Sequence, residues 1–304
     1  MITLNVKDET SKLKSVVLGR ADSIGNKPTA EEAYDPKSLE NIKAGTYPEE
    51  KDMVLEMNAV EEILKKHGVK VYRPEMIENY NQIFSRDIGF VIEDTFIKAN
   101  ILPDRDRELA AINYLIEQMN PKKVVQFDDA VHVEGGDVMP YHDYIFVGTY
   151  REKDYSDYIT ARTNPKAIEA LQKLFPQKIV KSFNLRKSNT DPKNNALHLD
   201  CCFQPVGKDK AVIHKNGFLD EKEYNWLVSN FKKENILEVT QEEMYRMFSN
   251  FFSISEDVVI SEKGFTRLND WLRSHHITVE EVPYAEISKQ GGLLRCSTLP
   301  LERE

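Results

Sequence analysis

Short strand-like runs and amphipathic helical stretches alternate along this chain, and the alternation comes round repeatedly with a polar residue at the same point of each round. Asp87 in FSRDIGF, Glu134 in VHVEGGDV, His198 in LHLDCCF, Asn250 in FSNFFSI and Cys296 in LLRCSTL each stand just before or inside a strand-like segment, at separations of 47, 64, 52 and 46 residues. Self-similarity at this length marks supersecondary units that bury their apolar faces only against one another, stacked in line or around an axis. Around an axis, equivalent positions converge, and a catalytic site needs unlike polar groups to converge.

Within each round the local signals agree. Residues 15–18 read as a strand and 49–66 as a helix, with Met53, Leu55, Met57, Val60, Ile63 and Leu64 as its apolar face and Gly68 as its stop. Residues 69–72 form the next strand. The pattern returns with a strand-like 90–99, a helical 105–119 and a strand at 124–127, then a strand at 144–148 and a helix at 165–175, and again over 211–239 and 258–282. Residues 21–47, rich in Asp, Lys, Pro and Gly, read as a long surface segment, and long ordered loops in compact folds serve as lids.

Composition narrows the partners. With 304 residues and 40% hydrophobic content a sizeable core is available. Fifty acidic against 41 basic residues give a net charge of -9 with no basic run, which argues against a nucleic-acid partner and for small molecules. The N-terminal MITLNVKDETSKLK has no apolar h-region, and no apolar run reaches the ~18 residues of a membrane span, so the expected location is the cytoplasm. Three cysteines, two of them adjacent at Cys201 and Cys202, make no disulfide framework and no C-x-x-C zinc site, which leaves thiol chemistry.

A cysteine, a histidine and carboxylates arriving from different units meet the needs of nucleophilic catalysis: a thiolate, a proton shuttle and acids that hold the substrate. Asp87, Glu134 and Asp200 around one cavity repel an anion and match the donor-only fork of a guanidinium. Cys296 lies behind a Gly-Gly pair that lets backbone pass close to a ligand, and beside Arg295, which adds positive potential near the thiol. In a strand, the His198-x-Asp200 spacing points both side chains to one face.

FSRDIGF, EGGD, HLD and GGLLRCSTLPL are similar, in identity and order, to the signatures of the guanidino-group-modifying enzymes: arginine deiminases, dimethylarginine dimethylaminohydrolases and amidinotransferases. The resemblance covers nearly the whole chain. It implies an α/β fold of the pentein β/α-propeller type, five ββαβ units around a pseudo-fivefold axis, in a single catalytic domain over residues 1–304. It further implies Cys296 as nucleophile toward the guanidinium carbon, His198 as general acid and base, and Glu134 as the group that orients His198. Asp87 and Asp200 then clamp the guanidinium nitrogens, while Arg105 and Arg151 fall near the arginines that hold a substrate carboxylate in the deiminases. The implied partner is a guanidino small molecule, with neither cofactor nor metal, and a homo-oligomer is compatible. RCSTLPLERE resembles the deiminase ending and favours hydrolysis of arginine or a modified arginine; transfer of the amidino group to an amine is the alternative.

Other residues have plainer readings. At least one of Cys201 and Cys202 is expected in the core, His132 on a strand, and His67, His275 and His276 at helix ends or turns. Asp137 closes the EGGD turn and is expected on local backbone amides. Asn250 either lines the pocket or caps a strand. A divalent metal on His198, Asp200, Glu134 and Asp137 is chemically allowed, and activity surviving chelators would dismiss it.

Overall fold

The computed structural model describes residues 1–304. Fifteen strands form five three-stranded sheets, each built alike. In the second unit, β3 (Gly89–Ile92) and β4 (Thr95–Lys98) form an antiparallel hairpin, and β5 (Val124–Gln126) returns parallel to β4 after a helical crossover. The third unit is β6 (Val138–Tyr141), β7 (Tyr144–Thr149) and β8 (Ile179–Asn184); the fourth is β9 (Phe203–Val206), β10 (Lys210–Ile213) and β11 (Ile236–Glu238); the fifth is β12 (Phe252–Ser255), β13 (Val258–Glu262) and β14 (Thr278–Val282). The first unit is completed from the far end of the chain. β15 (Thr298–Arg303) pairs antiparallel with β1 (Leu13–Leu18), and β2 (Lys70–Tyr72) lies parallel to β1. This pairing closes the pentein propeller ring.

The helices are α1 (Pro36–Ala44), α2 (Glu50–Lys66), α3 (Asp106–Ala110), α4 (Asn113–Ile116), α5 (Pro165–Leu174), α6 (Glu221–Val228), α7 (Gln241–Tyr245) and α8 (Thr266–Ser274). None is long and apolar enough to cross a membrane. In α2, Met53, Met57, Val60 and Leu64 repeat at helical spacing and are fully buried, each such side chain contributing about 1.5–3 kcal/mol. Leu55 is out of that register and 66% exposed, so the apolar face is narrower than composition suggests. Gly68, at φ 74°, takes the left-handed position past the helix end.

Two expected segments are divided. The strand-like 90–99 is the β3–β4 hairpin, turning at Glu93 with φ 54°, a conformation for which Glu carries no sequence signal. The helical 105–119 breaks into α3 and α4 because the Ala111 carbonyl accepts the Glu75 N–H at 2.8 Å, and Leu115 N–H turns to Ile112 at 2.9 Å instead.

Burial runs from the axis outward. The first strand of a sheet is buried on both faces, as in β3 and β9, whereas third strands such as β2 and β5 are half exposed. The turn leading into each first strand therefore sits at the axis. Asp87, Asn250 and Cys296 lie two residues ahead of β3, β12 and β15, and Glu134 and His198 sit at the head of short 3₁₀ turns leading to β6 and β9.

Candidate active site

The Cys296 turn is held from both neighbouring units. Leu294 N–H and Arg295 N–H donate to the Asn250 carbonyl at 3.2 Å each, and Arg86 N–H donates to the Cys296 carbonyl at 2.9 Å. Ser297 and Thr298 return their hydroxyls to the carbonyls of Leu293 and Leu294 at 2.9 and 3.0 Å, which tightens the turn before β15.

On one side of the axis, His198 Nε2 meets Glu134 Oε2 at 2.7 Å. Its Nδ1 faces Asp87 Oδ1 at 3.7 Å, and both atoms are buried without a hydrogen-bond partner. Glu134 also receives Arg162 Nη1 at 3.3 and 3.4 Å. Asp87 Oδ2 accepts from Arg105 Nη1 at 2.8 Å, while Arg105 Nε and Nη2 grip Glu108 at 2.6 and 3.0 Å.

On the other side, Cys296 Sγ stands 3.7 Å from Asp200 Oδ2 and accepts Asn250 Nδ2–H at 3.2 Å. Asp200 Oδ2 accepts from Arg295 Nη1 at 2.9 Å. Arg295 is fully buried and forks onto Glu9 through Nε at 3.1 Å and Nη2 at 3.0 Å, with its remaining N–H groups on the carbonyls of Gly136 and Val138. Each acid of the cluster thus has its own arginine: Asp87 with Arg105, Glu134 with Arg162, Asp200 with Arg295.

These pairs set the protonation states. Burial alone would raise Glu134, but Arg162 and His198 outweigh it and hold the carboxyl down at about 2. Burial disfavours the His198 cation, yet Asp87 and Glu134 push it up to about 9, so the ring is an imidazolium at neutral pH. Burial, then the charges of Asp200 and Asp87, push the Cys296 thiol well above its usual range. The thiol lacks a nearby free cation, and a guanidinium between those carboxylates would remove the repulsion that opposes its ionisation.

Residues 27–303 match the family described as N,N dimethylarginine dimethylhydrolase, eukaryotic. The chain belongs to that family. This N,N dimethylarginine dimethylhydrolase family member is 27% identical over 299 residues to the Bacillus subtilis protein YkgA, covering 98% of this chain and 94% of the relative. It is 26% identical over 265 residues to an arginine deiminase of Pediococcus pentosaceus, covering 74% of this chain and 62% of that protein, so it spans less than two thirds of the deiminase. In structure it is similar to SxtG, an amidinotransferase from Microseira wollei in saxitoxin biosynthesis, with a TM-score of 0.77 at 18% identity over 99% of this chain and 98% of that one. The guanidino-modifying pentein superfamily and its fold are thereby established.

The structure brings Cys296, His198, Glu134, Asp87, Asp200 and Arg105 of this family member together, and leaves Arg151 out. Arg151 lies on the flank of its sheet, its guanidinium on Ser182 Oγ at 3.1 Å and Glu223 at 2.5 Å, in the loop that leaves β7. From the same unit, the arginine that reaches the cluster is Arg162. His198 and Asp200 converge from a 3₁₀ turn, Leu199–Cys201, rather than from a strand. Asp137 accepts the Leu199 N–H at 2.9 Å, from the next unit rather than from its own turn. Both Cys201 and Cys202 are buried in the core, where at least one was expected, whereas His132 is on an exposed loop against Tyr155. Asn250 is wholly buried against the thiol.

The Gly-Gly pair makes room for the 21–47 segment and for the Phe84 ring. A Cβ on Gly291, which has φ 78°, would lie 2.5 Å from Asp35 Oδ1, and one on Gly292 would lie 2.5 Å from the Phe84 ring. Asp35 caps α1 by accepting the N–H groups of Lys37 and Ser38 at 2.9 and 2.8 Å, and the preceding Tyr34 carbonyl accepts Arg162 Nη2–H at 2.8 Å. The 21–47 segment is therefore docked on a residue of the cluster. Beneath it remains a cavity of about 110 Å³ lined by Tyr34, Asp35, Asn81, Phe84 and Gln290. Arg162, Glu9, Glu108 and Tyr34 were not legible as site residues: each lies in a stretch where its charge or polarity has no contrast with its neighbours.

Proposed function

We propose that this protein is a thiol-dependent hydrolase of a guanidino compound, arginine or a modified arginine, acting through a covalent amidino-cysteine. The observation that carries the reading is the convergence of Cys296 Sγ, Asp200 and the His198–Glu134 pair, with Asp87 Oδ1 and His198 Nδ1 left without partners. The substrate cation lies between Asp87 and Asp200 and lowers the thiol's pKa as it binds. Arg105 orients Asp87 rather than a substrate carboxylate, since its charge is already taken by Glu108 and Asp87. Cys296 Sγ, its proton released to solvent as the cation binds, attacks the guanidinium carbon as a thiolate; His198, with Nε2 on Glu134, delivers the Nδ1 proton to the departing nitrogen as the C–N bond breaks. His198 then takes a proton from water, whose oxygen attacks the same carbon, and the C–S bond breaks to release a ureido product. Membership in a dimethylhydrolase family supports hydrolysis.

The test is intact-mass spectrometry of wild type and Cys296→Ser, acid-quenched after brief incubation with arginine, methylarginines, decarboxylated arginine and guanidinoacetate, with product analysis of the same samples. An amidino-sized adduct in wild type alone, with ureido product, is expected. Turnover only with an added amine would replace hydrolysis by amidino transfer, and no adduct with no turnover across the panel would overturn the reading.

A further inference from the structure

Asn250 occupies in the fifth unit the place that Cys296 occupies in the first, two residues ahead of the innermost strand. It is fully buried, and its carbonyl and both side-chain polar atoms bond the nucleophile turn. Its carbonyl accepts Leu294 N–H and Arg295 N–H, each at 3.2 Å, and its Oδ1 accepts Cys296 N–H at 3.2 Å. Its Nδ2 donates to Cys296 Sγ at 3.2 Å and to the Asp200 carbonyl at 3.4 Å. These partners fix the orientation of the amide: the backbone N–H of Cys296 requires an acceptor and the Asp200 carbonyl requires a donor, so the NH₂ group is the one that faces sulfur. Ser249 Oγ–H donates to the same Asp200 carbonyl at 3.0 Å and steadies that acceptor.

We propose that Asn250 is a further catalytic residue, whose side-chain N–H stabilises the Cys296 thiolate while its Oδ1 fixes the sulfur's position, an inference that rests on Cys296 being the nucleophile. A thiol has little need of a donor, whereas a thiolate in a dry site has great need of one; the contact therefore strengthens as the proton leaves. The other groups acting on the sulfur are the carboxylates of Asp200, at 3.7 Å, and Asp87 and the thiol of Cys201, which oppose a negative charge there, and the Leu293 backbone, which favours one alongside Asn250. The Arg295 guanidinium contacts Asp200 and Glu9, and its charge is spent on those carboxylates. Losing a hydrogen bond to a charged group corresponds to roughly one to two pH units in the thiol's titration.

The experiment is the rate of iodoacetamide alkylation at Cys296, read by peptide mass across pH 6 to 9, for wild type, Asn250→Ala and Asn250→Asp, with Cys296→Ser as blank. Below the thiol's pKa the rate follows the thiolate fraction, so about 10- to 100-fold slower alkylation is expected at any fixed pH, with the Asp variant slowest because it sets a like charge beside sulfur. A merely structural role predicts the opposite sign: a loosened turn exposes the thiol and alkylation accelerates. Unchanged or faster alkylation in both variants overturns the proposal, and the Asp variant, which keeps the acceptor for Cys296 N–H, decides the matter where the Ala variant folds poorly. Slower alkylation in variants of a protein that forms no amidino adduct would overturn Cys296 as nucleophile, and with it the catalytic role of Asn250. An adduct in wild type without slower alkylation in the variants removes Asn250 alone.

Discussion

Glu9, seated in a charged N-terminal stretch, governs the electrostatics behind Cys296, and Glu9→Gln is the perturbation that exposes this. Its carboxylate is 3% exposed and takes both ends of the Arg295 fork. Burial would raise its pKa, but Arg295 and Arg86 bring it from 4.5 down to about 2. A shift of about 2.5 units corresponds to about 3 kcal/mol, in line with the 3–5 kcal/mol typical of a buried pair that loses one partner. A depressed carboxyl contributes stability that is complete above its unfolded value and fades as pH falls through the folded one. Glu9→Gln is therefore expected to lose about 3 kcal/mol at pH 7 and only about 2 kcal/mol at pH 3.5, read by urea unfolding. Because Arg295 would then bear undivided on Asp200, KM for a guanidinium substrate should rise and Cys296 should alkylate faster. A loss below about 1 kcal/mol at pH 7, or one that grows on acidification, would refute the reasoning.

Two further outcomes separate site from surface and define a pH range. Arg162→Ala leaves Glu134 without its counter-ion and should lower kcat/KM by about 10- to 100-fold, whereas Arg151→Ala, which breaks a part-exposed pair, should change it less than about twofold; equal effects in steady-state assays would contradict the assignment of Arg162. His198, raised from 6.5 to about 9, contributes stability present below pH 6.5 and lost as pH rises through 9, so urea midpoints should fall over that interval in wild type and stay flatter in Glu134→Gln; a wild-type stability that rises from pH 6.5 to 9 would show that the imidazolium is not held.

The recurring architecture was legible because inner strands such as β3 and β6 are apolar runs, and a polar residue ahead of them stands out. The hairpin turns were not, because those at Glu93 and His142 adopt positive φ without Gly or Asn to announce it. Helix length was misread at 105–119, where a long-range hydrogen bond from Glu75 to Ala111 defeats local periodicity. The His198–Asp200 pair was placed correctly at the axis on a mistaken premise, since a 3₁₀ turn rather than strand alternation aims both side chains inward.

The site residues divide along the same physical line. Those that sit on the repeat were found from sequence; those that neutralise them come from segments outside it, such as the N-terminal Glu9, the loop residue Arg162 and the lid residue Tyr34. Sequence contrast cannot reveal a counter-ion, yet physics demands one, because Asp87, Glu134 and Asp200 gathered in a dry interior would each cost several kcal/mol unpaired. Three arginines meet that demand. Glu108 and Glu9 then share Arg105 and Arg295 with the inner carboxylates, so these two arginines are divided and Asp87 and Asp200 keep part of their negative charge. On the proposed function, that remainder would both attract a guanidinium and hold the Cys296 proton in place until the cation arrives, tying activation of the thiol to occupancy of the site.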